Sequence, residues 1–87
     1  MSLILFAQSR RGAVPALARS LGVTPAFLWQ CATGRRKVPP RLCPRIEKLT
    51  TGQLKVEELR GDRTWTRVPD PAWPHPGGRP LLDDAAQ

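Results

Sequence analysis

The sequence predicts an all-α domain: a bundle of four to five short helices built about a helix-turn-helix and followed by an extended or disordered C-terminal tail. Three observations predict it. Apolar residues recur at helical spacing before Gly22 (Val14, Leu17, Ala18, Leu21) and again after Thr24 (Phe27, Leu28, Cys31, Ala32), so each half is a short helix with one buried face. Leu21-Gly22-Val23-Thr24-Pro25 joins them sharply: Gly22 suits a left-handed C-terminal cap, Thr24 an N-cap, and Pro25 a first helical turn. From Thr66 onward Pro69, Pro71, Pro74, Pro76, Pro80 and Gly77-Gly78 replace any periodic pattern. The chain of 87 residues therefore divides into a helix-turn-helix domain over 1–65 and a Pro-rich tail over 66–87.

Taken in order, Ser2 to Arg11 is a first helix with Leu3, Phe6 and Ala7 inward. Val14 to Leu21 is the second, poorly capped at its start because Ala13 and Val14 carry no side-chain oxygen. Ala18, four before the turn glycine, lets the helices approach closely, and Val23 fills the angle between them. Pro25 to Thr33 is the third helix, capped by Gly34. Val38-Pro39-Pro40 is a stiff joint into a fourth helix over 40–50 that carries Leu42, Cys43, Ile46 and Leu49 inward, with Pro44 in its first turn. Gln53 to Val56 alternates polar and apolar over too few residues for a sheet, and Glu57 to Arg60 is a one-turn helix with acids at its favourable end. Leu54, Val56, Leu59 and Trp65 either seal the core or form a two-fold dimer surface.

Charge is distributed unevenly. The net charge is +7, and from Met1 to Ile46 eight basic residues (Arg10, Arg11, Arg19, Arg35, Arg36, Lys37, Arg41, Arg45) face no acid at all. A solvated face normally mixes signs, whereas one-sided charge about a helix-turn-helix is the footprint of phosphate contacts. The third helix is then the recognition element. Its outer residues Pro25, Ala26, Trp29, Gln30 and Thr33 are the candidates for base edges in a major groove. Gln30 is the best reader, since its amide donates and accepts in one plane as adenine requires. Trp29 is bulky for a groove; it stacks on sugars or thymine methyls, packs against the first helix, or anchors a partner protein. Arg10, Arg11, Arg19, Thr24, Arg35, Arg36 and Lys37 are the candidates for phosphate contacts.

Other classes find little support. There is no carboxylate pair, metal-ligand cluster or nucleophile with a base, so neither an enzyme nor a cofactor is expected. Cys31 and Cys43 lie 12 apart, with the only histidine, His75, distant; both read as small core residues. No apolar run approaches a membrane span and no signal peptide precedes the first helix, which makes the expected location the cytoplasm with thiols reduced.

Residues 10–65 resemble the Cro-type regulators of lambdoid phages and prophages, within them the YdaS-like group. The matching residues run in order: Leu17-Ala18, Leu21-Gly22-Val23-Thr24, Gly34-Arg35-Arg36, Val38-Pro39, Cys43, Ile46-Glu47, Leu59-Arg60, Asp62 and Trp65. Val14 stands where the group often carries a glutamine, and Trp29 and Cys31 where a serine and a tryptophan are usual. The resemblance implies a lambda-repressor/Cro-like fold and a repressor that binds double-stranded DNA as a homodimer, in a prophage or a toxin–antitoxin-like operon. The alternative is an antitoxin-like or protein-binding module whose main partner is a cognate toxin or regulatory protein.

Overall fold

Ser2 starts the first helix: its side-chain oxygen accepts from the Leu5 N–H at 3.3 Å and caps α1 (Leu3–Gln8). The structure is a computed structural model that describes residues 2–83. After α1 come α2 (Ala13–Leu21), α3 (Pro25–Ala32), a 3-10 turn over Pro40–Leu42, α4 (Cys43–Leu49), α5 (Val56–Leu59) and two strands, β1 (Trp65–Val68) and β2 (Arg79–Leu82). As expected, α2 begins at Gly12 without a side-chain cap and Pro44 lies in the first turn of α4.

The buried faces of α1 to α4 meet in one core. Leu3 and Ala7 of α1, Val14, Leu17, Ala18 and Leu21 of α2, Leu28 and Cys31 of α3, and Cys43 and Ile46 of α4 are all buried, with Phe6, Phe27 and Ala32 packed half-buried against them. Ala18 is 0% and Leu28 1% exposed, so α2 and α3 meet across the smallest side chain available there.

Several expectations change. The all-α class holds only coarsely, because β1 and β2 pair antiparallel with Trp65 opposite Leu82 and Val68 opposite Arg79. The proline-rich stretch is thus extended and paired in part; what was expected of residues 84–87 lies outside the described residues. A hairpin this small is marginal alone. Here Arg67 of β1 reaches into the bundle and binds Glu47 of α4 through both terminal nitrogens, at 2.7 and 2.9 Å. Leu49, expected inward, is 47% exposed, while Glu47 and Thr50 are buried. The helical phase set by Cys43 and Ile46 carries inward to 47 and 50, not 49. Leu54 and Val56 are fully buried in the chain's own core, so they seal it and offer a second copy no surface. α1 ends at Gln8, short of Arg11. No helix among the described residues is long and apolar enough to cross a membrane.

Candidate nucleic-acid interface

The α2–α3 turn places the exposed face of α3. Gly22 sits at φ 76°, a backbone region favourable to glycine, and the Val23 N–H returns to the Ala18 carbonyl at 3.0 Å. The chain then reverses, and Thr24 Oγ1 accepts from the Phe27 N–H at 3.1 Å to start α3. Both caps are those the sequence predicts.

With Leu28 and Cys31 turned to the core, Pro25, Ala26, Trp29 and Thr33 lie exposed and Gln30 half-buried. Trp29 is 41% exposed, large for an apolar side chain. Trp29, Gln30, Thr33 and Arg35 line one shallow concavity. The Thr33 hydroxyl donates to the Trp29 carbonyl at 2.9 Å, which leaves its oxygen an acceptor toward solvent.

The basic turn beyond α3 folds back on the helix. Gly34 adopts φ 85°, and the Arg35 and Arg36 N–H groups both donate to the Gln30 carbonyl, at 2.9 and 3.2 Å. Arg36 Nε then donates to Gln30 Oε1 at 2.7 Å, a pairing of two candidate residues that sequence reasoning left separate. The signal for it was present, because a glycine cap returns the chain over the last helical turn.

Lys37 faces away from this group: its ammonium lies 3.3 Å from Asp62, whose carboxylate also pairs with Arg60 at 2.8 Å. Hydrogen bonds from Arg60 hold the Asp62 carboxyl well below the usual carboxylate range, so the acid stays ionised beside Lys37. Arg60 further donates to the Val38 carbonyl at 3.0 Å, and Trp65 Nε1 to the Arg60 carbonyl at 3.0 Å. This clasp fixes the segment after the basic turn, and neither Asp62 nor Arg60 was a candidate from sequence.

Of the remaining phosphate candidates, Arg10, Arg11, Arg19 and Thr24 are exposed. Arg10 lines a separate cleft with Phe6, Leu49 and Thr50, apart from the Trp29 concavity. The four arginines Arg10, Arg11, Arg19 and Arg35 have no ion-pair partner among the described residues. Of the dimer candidates outside the core, Leu59 and Trp65 are half-buried. Burial pushes the Cys43 thiol up to about 12 despite the opposing charge of Arg60, and pushes the Cys31 thiol up as well, so neither is a nucleophile at neutral pH.

These features define a small basic domain, mostly helical, that presents the outer face of one helix beside a cluster of acid-free cations. Residues 4–68 match the family described as "Bacterial toxin YdaS", and the chain belongs to that family. The motif run read from the sequence falls inside this match. Among curated proteins, the chain is 44% identical over 55 residues to an Escherichia coli (strain K12) protein described as "Putative transcriptional regulator YdaS". The match covers 63% of this chain and 56% of that relative, little more than half its length.

Proposed function

We propose that this protein is a sequence-specific regulator of transcription that binds double-stranded DNA and reads the major groove with α3. The observation that carries the proposal is the grouping of Trp29, Gln30, Thr33 and Arg35 about one concavity on the exposed face of a helix held by a capped turn. Around it lies a half-chain whose arginines lack acids, the electrostatics that draw a protein to a polyanion. The description of the Escherichia coli relative as a transcriptional regulator supports the same reading.

In this reading Pro25, Ala26, Trp29, Gln30 and Thr33 face the bases, and Arg10, Arg11, Arg19, Thr24, Arg35 and Arg36 hold the backbone. Lys37, already paired with Asp62, is a minor contributor. The DNA-binding unit is residues 1–65, and the protein acts in the cytoplasm as a homodimeric repressor on two half-sites, with Leu59 and Trp65 as the remaining candidates for the subunit contact. No catalytic role is proposed.

Selection of bound duplexes from a random DNA pool near physiological salt tests the proposal, with Gln30→Ala run beside the wild type. The expected result is a palindromic motif for the wild type and loss of preference at one position per half-site in the variant, on the order of 1–3 kcal/mol. Weak, salt-sensitive binding to every sequence would refute it. The exposed Trp29 and the description of the family as a toxin favour a second reading, a protein-binding module. Trp29→Ala distinguishes the two: it abolishes capture of a partner protein in the second reading and alters only DNA binding in the first.

A further inference from the structure

We infer that Arg36 orients the Gln30 side chain so that its amino group, not its carbonyl, is offered to the DNA, and that the base Gln30 reads is guanine rather than adenine. The inference rests on the proposed reading of α3 and goes beyond it in assigning a specificity-determining pair and the base it selects.

The chemistry of the pair dictates the orientation. An arginine Nε carries a hydrogen and no lone pair, so the Gln30 atom 2.7 Å from it is an acceptor, the carbonyl Oε1. The amide nitrogen then points away with both hydrogens unspent; no described group accepts from it. The terminal nitrogens of Arg36 are donors too, so the pair is dominated by donors, with one lone pair left on Oε1, beside the guanidinium. Adenine offers an acceptor beside a donor in the major groove and needs an amide that does both. Guanine offers two acceptors, N7 and O6, and matches a donor-rich partner. The adenine preference expected of an isolated glutamine is reversed by its neighbour.

The pairing is built into the backbone. Gly34 turns the chain so that the Arg35 and Arg36 N–H groups bond the Gln30 carbonyl, which holds Arg36 beside Gln30 before any side-chain contact forms. Little further freedom is lost in closing a side-chain bond between residues already adjacent. Arg36 is exposed and has no acid partner among the described residues that would draw it away.

The test is the same duplex selection, extended to Arg36→Ala and Arg36→Lys. The wild type should enrich guanine over adenine at one position per half-site, on the order of tenfold. Both Arg36 variants should shift that position toward adenine and leave the rest of the motif in place, with Arg36→Lys keeping the wild-type salt dependence because it keeps the charge. Adenine at that position in the wild type would overturn the inference, as would guanine retained in both Arg36 variants. A guanine that survives Gln30→Ala but not Arg36→Ala would make Arg36 itself the reader and overturn it too. In the first two cases a motif exists and the proposed function stands; in the third, sequence-specific binding stands but Gln30 is not a base reader; if the wild type enriches no motif, that function falls and the inference with it. A second readout needs no DNA: hydrogen exchange at the Arg36 Nε–H, followed by nuclear magnetic resonance, should be slower in the wild type than in Gln30→Ala. Equal rates would mean that the bond does not form in solution, which also overturns the inference.

Discussion

Removing the charge of Arg67 should destabilise the whole domain, because it strands a carboxylate in the core. Glu47 is 0% exposed and accepts four hydrogen bonds. Oε1 takes the Val56 N–H at 3.1 Å and Arg67 Nη2 at 2.7 Å; Oε2 takes Arg67 Nη1 at 2.9 Å and Trp73 Nε1 at 2.5 Å. Arg67→Met keeps the methylene packing and deletes two of those four bonds together with the counter-charge. Breaking a buried pair from one side costs about 3–5 kcal/mol. The lower end applies, because Glu57, half exposed, flanks the vacated position and lets water reach it. The Arg67–Glu57 pair itself contributes roughly 0–1 kcal/mol more. A loss of about 3 kcal/mol is large against the roughly 4–13 kcal/mol expected of a chain this size, and corresponds to a fall of about 12–24 °C in the thermal midpoint. Unfolding followed by circular dichroism and by tryptophan fluorescence, with Trp73 beside the lost group, measures it. Glu47→Gln in the Arg67→Met background removes the stranded charge and should restore about 2 kcal/mol. The pH dependence carries the same signature. Burial pushes the Glu47 carboxyl up, but the bonds from Arg67, Trp73 and Val56 and the Arg67 charge outweigh it, and the folded value lies below the ordinary one. A lowered folded value means stability that is present above the ordinary carboxylate range and lost as pH falls through the folded value. The wild type should therefore lose stability in acid more steeply than Glu47→Gln. A loss under about 1 kcal/mol in Arg67→Met, or no rescue by Glu47→Gln, would refute the account, since either would mean that the carboxylate is not held in the core by this guanidinium.

Thr24→Ala removes the acceptor for the Phe27 N–H and should cost about 1 kcal/mol, a drop of roughly 4–8 °C in thermal midpoint; an unchanged midpoint would show that the cap is not formed in solution. Cys43, its thiol pushed up to about 12 by burial, should resist alkylation at pH 8 in the native protein and react once urea unfolds it, as followed by mass spectrometry. Native labelling as fast as in urea would place that side chain at the surface.

The α2–α3 turn was legible because its information is local. Gly22, Thr24 and Pro25 each do one thing the backbone requires within a few residues, and no distant partner changes that. The phase of α4 was less so: Leu49 is the more apolar residue, yet Glu47 lies on the stripe of Cys43 and Ile46, and its burial became tolerable only once Arg67 and Trp73 supplied donors from 20 and 26 residues away. The hairpin was hidden for the same reason. Prolines and glycines argue for an unpaired chain, and the contacts that hold β1 to the bundle, the Arg67 guanidinium on Glu47 and the Trp65 indole on the Arg60 carbonyl, are ones that no periodicity marks. Leu54 and Val56 read equally as core or contact surface until the bundle they fill was assembled. The α3 face was located from sequence, whereas the state of Gln30 depends on a neighbour six residues on and was not.

The two halves of the chain use charge differently, and this joins the stability of the fold to the proposed function. The acids of the second half are largely committed to that half: Glu47 and Glu57 to Arg67, Asp62 to Arg60, and Asp70 to Arg79 at 3.8 Å. Lys37 draws an acid across to the first half, at the point where the chain leaves the basic turn. The carboxylates that hold the hairpin and the Arg60 clasp thus do not neutralise Arg10, Arg11, Arg19 and Arg35, and the field of the first half stays one-sided. A protein that distributed its acids evenly could reach the same stability through the same number of pairs, but its α3 face would then approach a polyanion past negative charge. Segregating them lets the C-terminal half be braced by ion pairs while the N-terminal half keeps the positive potential that long-range steering requires.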